Sequence, residues 1–263
     1  MTMLDTAAHA RTTSPHWPTQ RATLLRTSLC VALAVAVYGL AFGALAVSAG
    51  FTLAQTCAMS LLMFNGASQL AFVGVLGAGG SVLVAVLSAL LIGARNAAYG
   101  VRLAPMLAAR GAKLLVAVAL TIDESTALAI ANERAEDRGR AGRFGFWSAG
   151  IAVYALWNLA TLIGALAATQ LGDPRALGLD TAVAAGLAGL VWSALHDIPT
   201  RVAAGVAVVV AVLLTPVVPA GMPVIMAGLL AVAGVSMFDP VRRHRRPGLP
   251  ARHAKQRAFG TAA

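Results

Sequence analysis

Three charged side chains, Arg95, Asp123 and Glu124, stand in the middle of long apolar runs, together with the amides and hydroxyl of Asn65, Ser68, Gln69, Asn96 and Asn158, and with Trp157. A charge at the centre of a lipid-facing helix costs about 2.5 to 3.5 kcal/mol on insertion scales, so these groups need partners or a polar passage. Arg95 is expected to face Asp123 or Glu124, which leaves one acid without a cation. A carboxyl in apolar surroundings favours its neutral form and can exchange a proton there. Asp123 is slightly favoured as that coupling acid, because Thr126 and Ala127 give it a small, partly polar face, whereas Glu124 shares its face with Leu128. In a continuous helix Asn65, Ser68 and Gln69 also share one face. Such a lining suits the transport of a small solute. The bland alternative is that these groups only bond helices to one another.

The elements that must hold these residues are membrane spans. A composition of 59% apolar and 11% charged residues cannot coat a water-soluble globule, in which about a quarter of residues are charged. A span needs about 20 apolar residues to cross a hydrocarbon core of about 30 Å. Eight runs qualify: 24–48, 53–76, 81–108, 113–132, 145–169, 179–195, 202–218 and 222–238. Glycine, proline and charge clusters separate them. The expected fold is an all-α transmembrane bundle of seven or eight spans, the second to fourth running antiparallel in turn. Some spans are open to being broken or re-entrant, since the last two are short and proline-bounded and the third carries Arg95 and Arg102. Asn65, Arg95 with Asn96, Asp123 with Glu124, and Trp157 with Asn158 fall near the midpoints of spans two to five, hence at one depth. Residues 1–23 and 241–263 lack apolar periodicity and read as disordered tails around a transport domain at 24–240.

The net charge of +10 is concentrated, with seven of the 20 basic residues after the last apolar run. A basic tail beside a span reads as a cytoplasmic anchor at anionic headgroups, and nucleic-acid motifs are missing. With both termini cytoplasmic, that side collects fifteen basic residues, against Arg110, Lys113 and Arg175 outside. Cys30 and Cys57 lack metal or disulfide spacing. The histidines lie in tails or a loop, which disfavours an intramembrane hydrolase. The glycine cluster at 77–80 lacks the lysine of a phosphate-binding loop, which disfavours an ATP-driven pump. No cofactor or enzymatic activity is expected. Tyr38, Gly39, Phe42 and Gly43 read as close helix packing.

Several motifs resemble one family in order. The run Met59-Ser60-Leu61-Leu62-Met63-Phe64-Asn65-Gly66-Ala67-Ser68-Gln69-Leu70 is similar to the S-x-x-x-F-x-G-A-x-Q stretch of the AzlC family of branched-chain amino acid permeases. Gly93-Ala94-Arg95-Asn96-Ala97-Ala98-Tyr99-Gly100 resembles its N-x-R-x-x-x-Y-G element, with Gly93 where the family often has Asn and Asn96 where it often has His. Asp123-Glu124-Ser125 resembles its D-E-S, residues 157–164 its W-N-x-x-T-x-x-G, and residues 177–180 its L-G-L-D. These motifs cover about residues 30–240.

The resemblance implies a proton-driven exporter of valine, leucine or isoleucine in the bacterial inner membrane, working with a small AzlD-type membrane subunit. The carboxylate of such a zwitterion would draw on Asn65, Gln69, Arg95 and Asn158, with Ser68, Asn96 and Trp157 completing the binding set. Its ammonium would meet Asp123 and Glu124. Its side chain would rest among Phe42, Phe64, Phe72 and Trp157. A membrane assembly or sensor component, or a passive channel, remain the rivals.

Overall fold

Inside a bilayer no water satisfies the backbone, so apolar runs of leucine, valine and alanine close their hydrogen bonds within helices. In the computed structural model, which describes residues 17–133, 139–171, 195 and 198–238, every regular element among the described residues is an α-helix. Residues 179–194 of the expected sixth span, Arg175, the motif at 177–180, and the tail segments 1–16 and 239–263 lie outside the described residues.

The frame is a parallel pair of 32-residue helices, α1 (Trp17–Ser48) and α8 (Arg140–Leu171). Trp17 meets Phe144 with ring centroids 5.6 Å apart, Ser28 and Ser148 share a hydrogen bond of 2.8 Å, and Phe42 stacks on Trp157 at 6.2 Å. The contacts thus advance together along both helices. Glycines bring the two backbones together: a Cβ on Gly43 would strike the Thr161 carbonyl, and one on Gly164 the Leu40 carbonyl. Small residues that permit such approach drive helix association in lipid. α1 begins at Trp17, within the stretch expected as a tail.

A second crossing runs the opposite way. α4 (Val82–Gly93) and α5 (Arg95–Leu107) form one apolar span of 26 residues, interrupted at Ala94. It ends at Met106, which packs by Gly139 and Gly142 at the start of α8.

The four remaining helices before residue 133 form two hairpins. α2 (Leu53–Leu62) starts with a capping box between Thr52 and Gln55 and passes α8 where the Ser60 hydroxyl donates to Thr161 Oγ1 at 3.3 Å. α3 (Gly66–Gly77) then returns, with Gly66 against the Trp157 ring and Gly77 beside Ala49 at the far end of α1. Trp157 lies at mid-length of α8, so the turn at 63–65 reaches only half-way through the bundle. From the opposite end comes a second hairpin, α6 (Ala112–Ala119) and α7 (Asp123–Ala131), bent by 104°. Leu120 packs at Gly150, Leu128 at Gly145 and Ala129 at Gly142, so α7 descends along α8 from mid-length to its start. Two half-depth hairpins therefore enter from opposite ends, and their tips meet in the middle.

This corrects the expected second and fourth spans, 53–76 and 113–132. Their hydropathy suffices for a crossing, but the backbone leaves the helix at Asn65 (φ −153°, ψ 99°) and Ile122 (φ −127°, ψ 174°) and turns back. Two consequences follow. α5 and α7 run parallel rather than antiparallel, and Arg110 and Lys113 lie at the same end as Arg21 and Arg140, as the Lys113 ammonium over Trp147 (5.5 Å) and Arg21 over Phe144 (5.5 Å) indicate. Three helices, Trp17–Ser48, Val82–Leu107 and Arg140–Gln170, are long and apolar enough to cross a membrane among the described residues. The two C-terminal helices, Ile198–Leu214 and Met222–Phe238, pack on each other, and the second packs on α4 where Gly228 meets Leu91.

Candidate functional site

Non-helical backbone at membrane depth is tolerated only where protein buries it or where it lines a cavity. Both hairpin tips do the latter. Between them lies a cavity of about 60 Å³ bounded by Asn65, Gly66 and Ala67 at the start of α3, Arg95 and Asn96 at the start of α5, and Ile122, Asp123 and Glu124 at the start of α7. Tyr38 of α1 and Trp157 of α8 wall its sides.

The start of α3 is built to be open. Asn65 caps it by accepting the Ser68 N–H on Oδ1 at 3.3 Å, while the amides of Gly66 and Ala67 belong to the first turn, whose donors have no intrahelical acceptor. The helix dipole adds partial positive charge there. Gly66 is required: a Cβ would sit 2.6 Å from the Trp157 ring. The start of α7 has the opposite character, since Asp123 and Glu124 place carboxylates in its first turn. Its tip is held by Ser125, whose Oγ donates to the Leu120 carbonyl at 2.6 Å and accepts the Ile122 N–H at 3.1 Å.

Arg95 bridges the two halves. Its guanidinium meets the Asp123 carboxylate at 2.6 Å, and both side chains are 42% exposed, so the pair faces the cavity instead of being sealed behind it. Tyr99, one turn beyond Arg95, also interacts with Asp123. A second pair, Arg102 with Glu133, ties α5 two turns beyond Arg95 to the residues just after α7. Glu124 has no ion-pair partner among the described residues. Asn96 Oδ1 is buried with no hydrogen-bond partner among them.

Of the residues expected in the site, Asn65, Arg95, Asn96, Trp157, Asp123 and Glu124 converge on this cavity. Ser68, Gln69 and Asn158 stand behind it. The completely buried Gln69 donates from Nε2 to the Met63 carbonyl at 2.7 Å, closing the end of α2, and accepts the Trp157 indole N–H at 3.0 Å. Ser68 donates to the Ala89 carbonyl at 2.9 Å, and Asn158 donates to the Tyr154 carbonyl at 2.8 Å. Asn65, Ser68 and Gln69 do not form one face of a continuous helix, because Asn65 lies outside α3 as its cap. Tyr38 and Ser125 were not among the expected site residues. Tyr38, a polar-tipped aromatic near the midpoint of the first span, carried the signal; Ser125 carried it only as a hydroxyl two residues after the first acid.

The division yields a prediction. Gln69→Ala leaves the Trp157 N–H unpaired, at about 1–3 kcal/mol for a buried orphan, and takes from the Met63 carbonyl one of its two donors, the Asn65 N–H remaining at 2.7 Å. Thermal unfolding of the purified protein in detergent should therefore drop by several degrees. Asn96→Ala removes an amide whose oxygen bonds nothing among the described residues, so it should leave the unfolding temperature near wild type while reducing transport. Equal loss of stability in both variants would remove the distinction between supporting and lining residues.

Residues 30–171, more than half of the chain, match the AzlC protein family. No curated protein and no solved structure matches the chain. The motifs at 59–70, 93–100, 123–125 and 157–164 fall inside the match, and they are the segments that form the hairpin tips and the cavity wall. With its apolar helices and mid-depth polar cavity, the chain belongs to the AzlC family, a family of membrane transporters associated with branched-chain amino acids.

Proposed function

We propose that this protein exports a branched-chain amino acid, valine, leucine or isoleucine, across the bacterial inner membrane through the cavity between the hairpin tips. The observation that carries the reading is the pairing of opposite chemistries within one small cavity. The open start of α3 and Arg95 supply donors and positive charge for a carboxylate; Asp123 and Glu124 supply acceptors for an ammonium. Discontinuous helices whose N-termini face an anionic substrate group near the bilayer midplane are a recurring transporter design. At about 10–15 Å³ per water-sized group, 60 Å³ holds about four to six such groups. That matches the five heavy atoms of an amino acid's charged end.

The Arg95–Asp123 pair is itself a carboxylate and a cation, so a zwitterion can replace each partner by its own complementary group. Such an exchange loosens the tie between α5 and α7 only when substrate is present. The hairpins entering from opposite ends are then the elements that uncover the cavity to one side or the other. The end carrying Arg21, Arg110, Lys113 and Arg140 is assigned to the cytoplasm by its basic residues, the side also proposed for both termini. A small AzlD-type membrane subunit is the proposed partner, and the proton-motive force the driving energy.

Reconstitution in liposomes tests this directly. With an imposed pH or voltage difference, radiolabelled leucine should accumulate against its gradient, with and without the small subunit to show whether it is obligatory. Equilibration without accumulation would identify a passive channel, and no flux of any branched-chain amino acid in either preparation would defeat the reading.

A further inference from the structure

Resting on the transport reading above, we propose that the aliphatic side chain of the substrate occupies a second, mainly apolar groove on the other side of Asn65 and Asn96, and that Ala89 and Phe72 set which side chains fit. The polar cavity has room for the charged end of an amino acid and little more, so a four-carbon side chain must lie elsewhere. A neighbouring groove of about 460 Å³, open on one side and rimmed by the exposed Leu62, Leu90 and Val118, is at hand. Phe64, Asn65 and Asn96 line both cavities, so a solute that touches the two asparagines touches both spaces. At the same value of about 10–15 Å³ for each water-sized group, a butyl-sized side chain needs about 40–60 Å³, well within it.

Its wall is suited to hydrocarbon. Val86, Ala89, Leu90 and Gly93, spaced for one face of α4, line one side, and Phe72 of α3 lines another. The groove is thus mainly apolar, with Ser68 and Thr121 besides the two asparagines, where the first cavity is charged, and the boundary falls at the two amides. Gly93 stands at that boundary: a Cβ there would come within 3.1 Å of Ser68 Oγ and 3.6 Å of Asn65 Nδ2. Asn96 Oδ1, buried and unpartnered among the described residues, is an acceptor at the same place. It would meet the ammonium of an amino acid whose α-carbon lies between the asparagines.

The test compares uptake of alanine, leucine and isoleucine by wild type, Ala89→Leu and Phe72→Ala in the same liposomes. Ala89→Leu adds three carbons to the groove wall. One methylene of mismatch in an apolar pocket is worth about 10- to 200-fold, so leucine and isoleucine should fall at least about tenfold relative to alanine. Phe72→Ala enlarges the groove and should move selectivity the other way. Because the readout is a ratio between substrates, partial loss of folded protein cancels, and Phe72→Ala decides the matter if Ala89→Leu does not insert. Wild-type transport with the same leucine-to-alanine ratio in the variants would overturn the side-chain site while leaving the transport reading intact. A wild-type protein that moves no amino acid would overturn both.

Discussion

Glu124→Gln should abolish pH-driven accumulation of substrate while leaving exchange at equal pH close to the wild-type rate. Arg95 pairs with Asp123 at 2.6 Å, and Glu124, beside the same cavity, makes no ion pair among the described residues. An uncompensated carboxylate in a poorly hydrated site is costly, and a bound proton removes that cost. The amide keeps the shape and removes the exchangeable proton. The slight preference for Asp123 from its helical neighbours is thereby reversed, since Asp123 is the acid that already has a partner. Asp123→Asn should act differently, weakening both accumulation and exchange because it frees Arg95 and removes an acceptor for the ammonium. Flux measurements with and without a pH gradient on both variants decide this. Normal uphill transport by Glu124→Gln would show that this acid does not couple transport to protons.

Gly43→Ala should destabilise the bundle far more than Gly74→Ala, although each adds one methyl group to a helix. At Gly43 the new Cβ would lie against the Thr161 carbonyl and 2.8 Å from the Ala165 nitrogen, both backbone atoms that cannot step aside. α1 and α8 would have to separate, taking Tyr38 and Trp157, the two side walls of the cavity, apart. Overpacking of this kind costs about 1–3 kcal/mol, so the unfolding temperature in detergent should fall and transport should fall with it. At Gly74 nothing lies within 4 Å of the added atom. Alanine there gains up to about 1 kcal/mol of helix propensity over glycine, so stability should hold or rise. Thermal unfolding of the two variants side by side is the measurement. Equal stability would mean that the α1–α8 contact is looser than its backbone approach implies.

The sequence alone determines the solvent this chain folds in, its helical class and the identity of its polar residues. Lipid admits helices, and a charge within an apolar run must find a partner, so Arg95, Asp123 and Glu124 were legible as one cluster before any coordinates. Which acid pairs with Arg95 was not legible, because adjacent positions on a helix differ only in direction, and direction depends on how α5 and α7 are placed. Hydropathy also measures length without sensing reversal. The runs at 53–76 and 113–132 are apolar enough to cross, yet each turns back at mid-depth, where a nearby side chain takes up the broken backbone: Gln69, itself held by Trp157 from α8, closes the end of α2, and Ser125 closes the tip before α7. Of those bonds only the one between Gln69 and Trp157 is long-range, joining residues 88 positions apart. The tips close on local side chains, and what only tertiary structure decided is their placement against α8, with Gly66 at Trp157 and Leu120 at Gly150, which turned two apparent spans into the two tips that enclose a site.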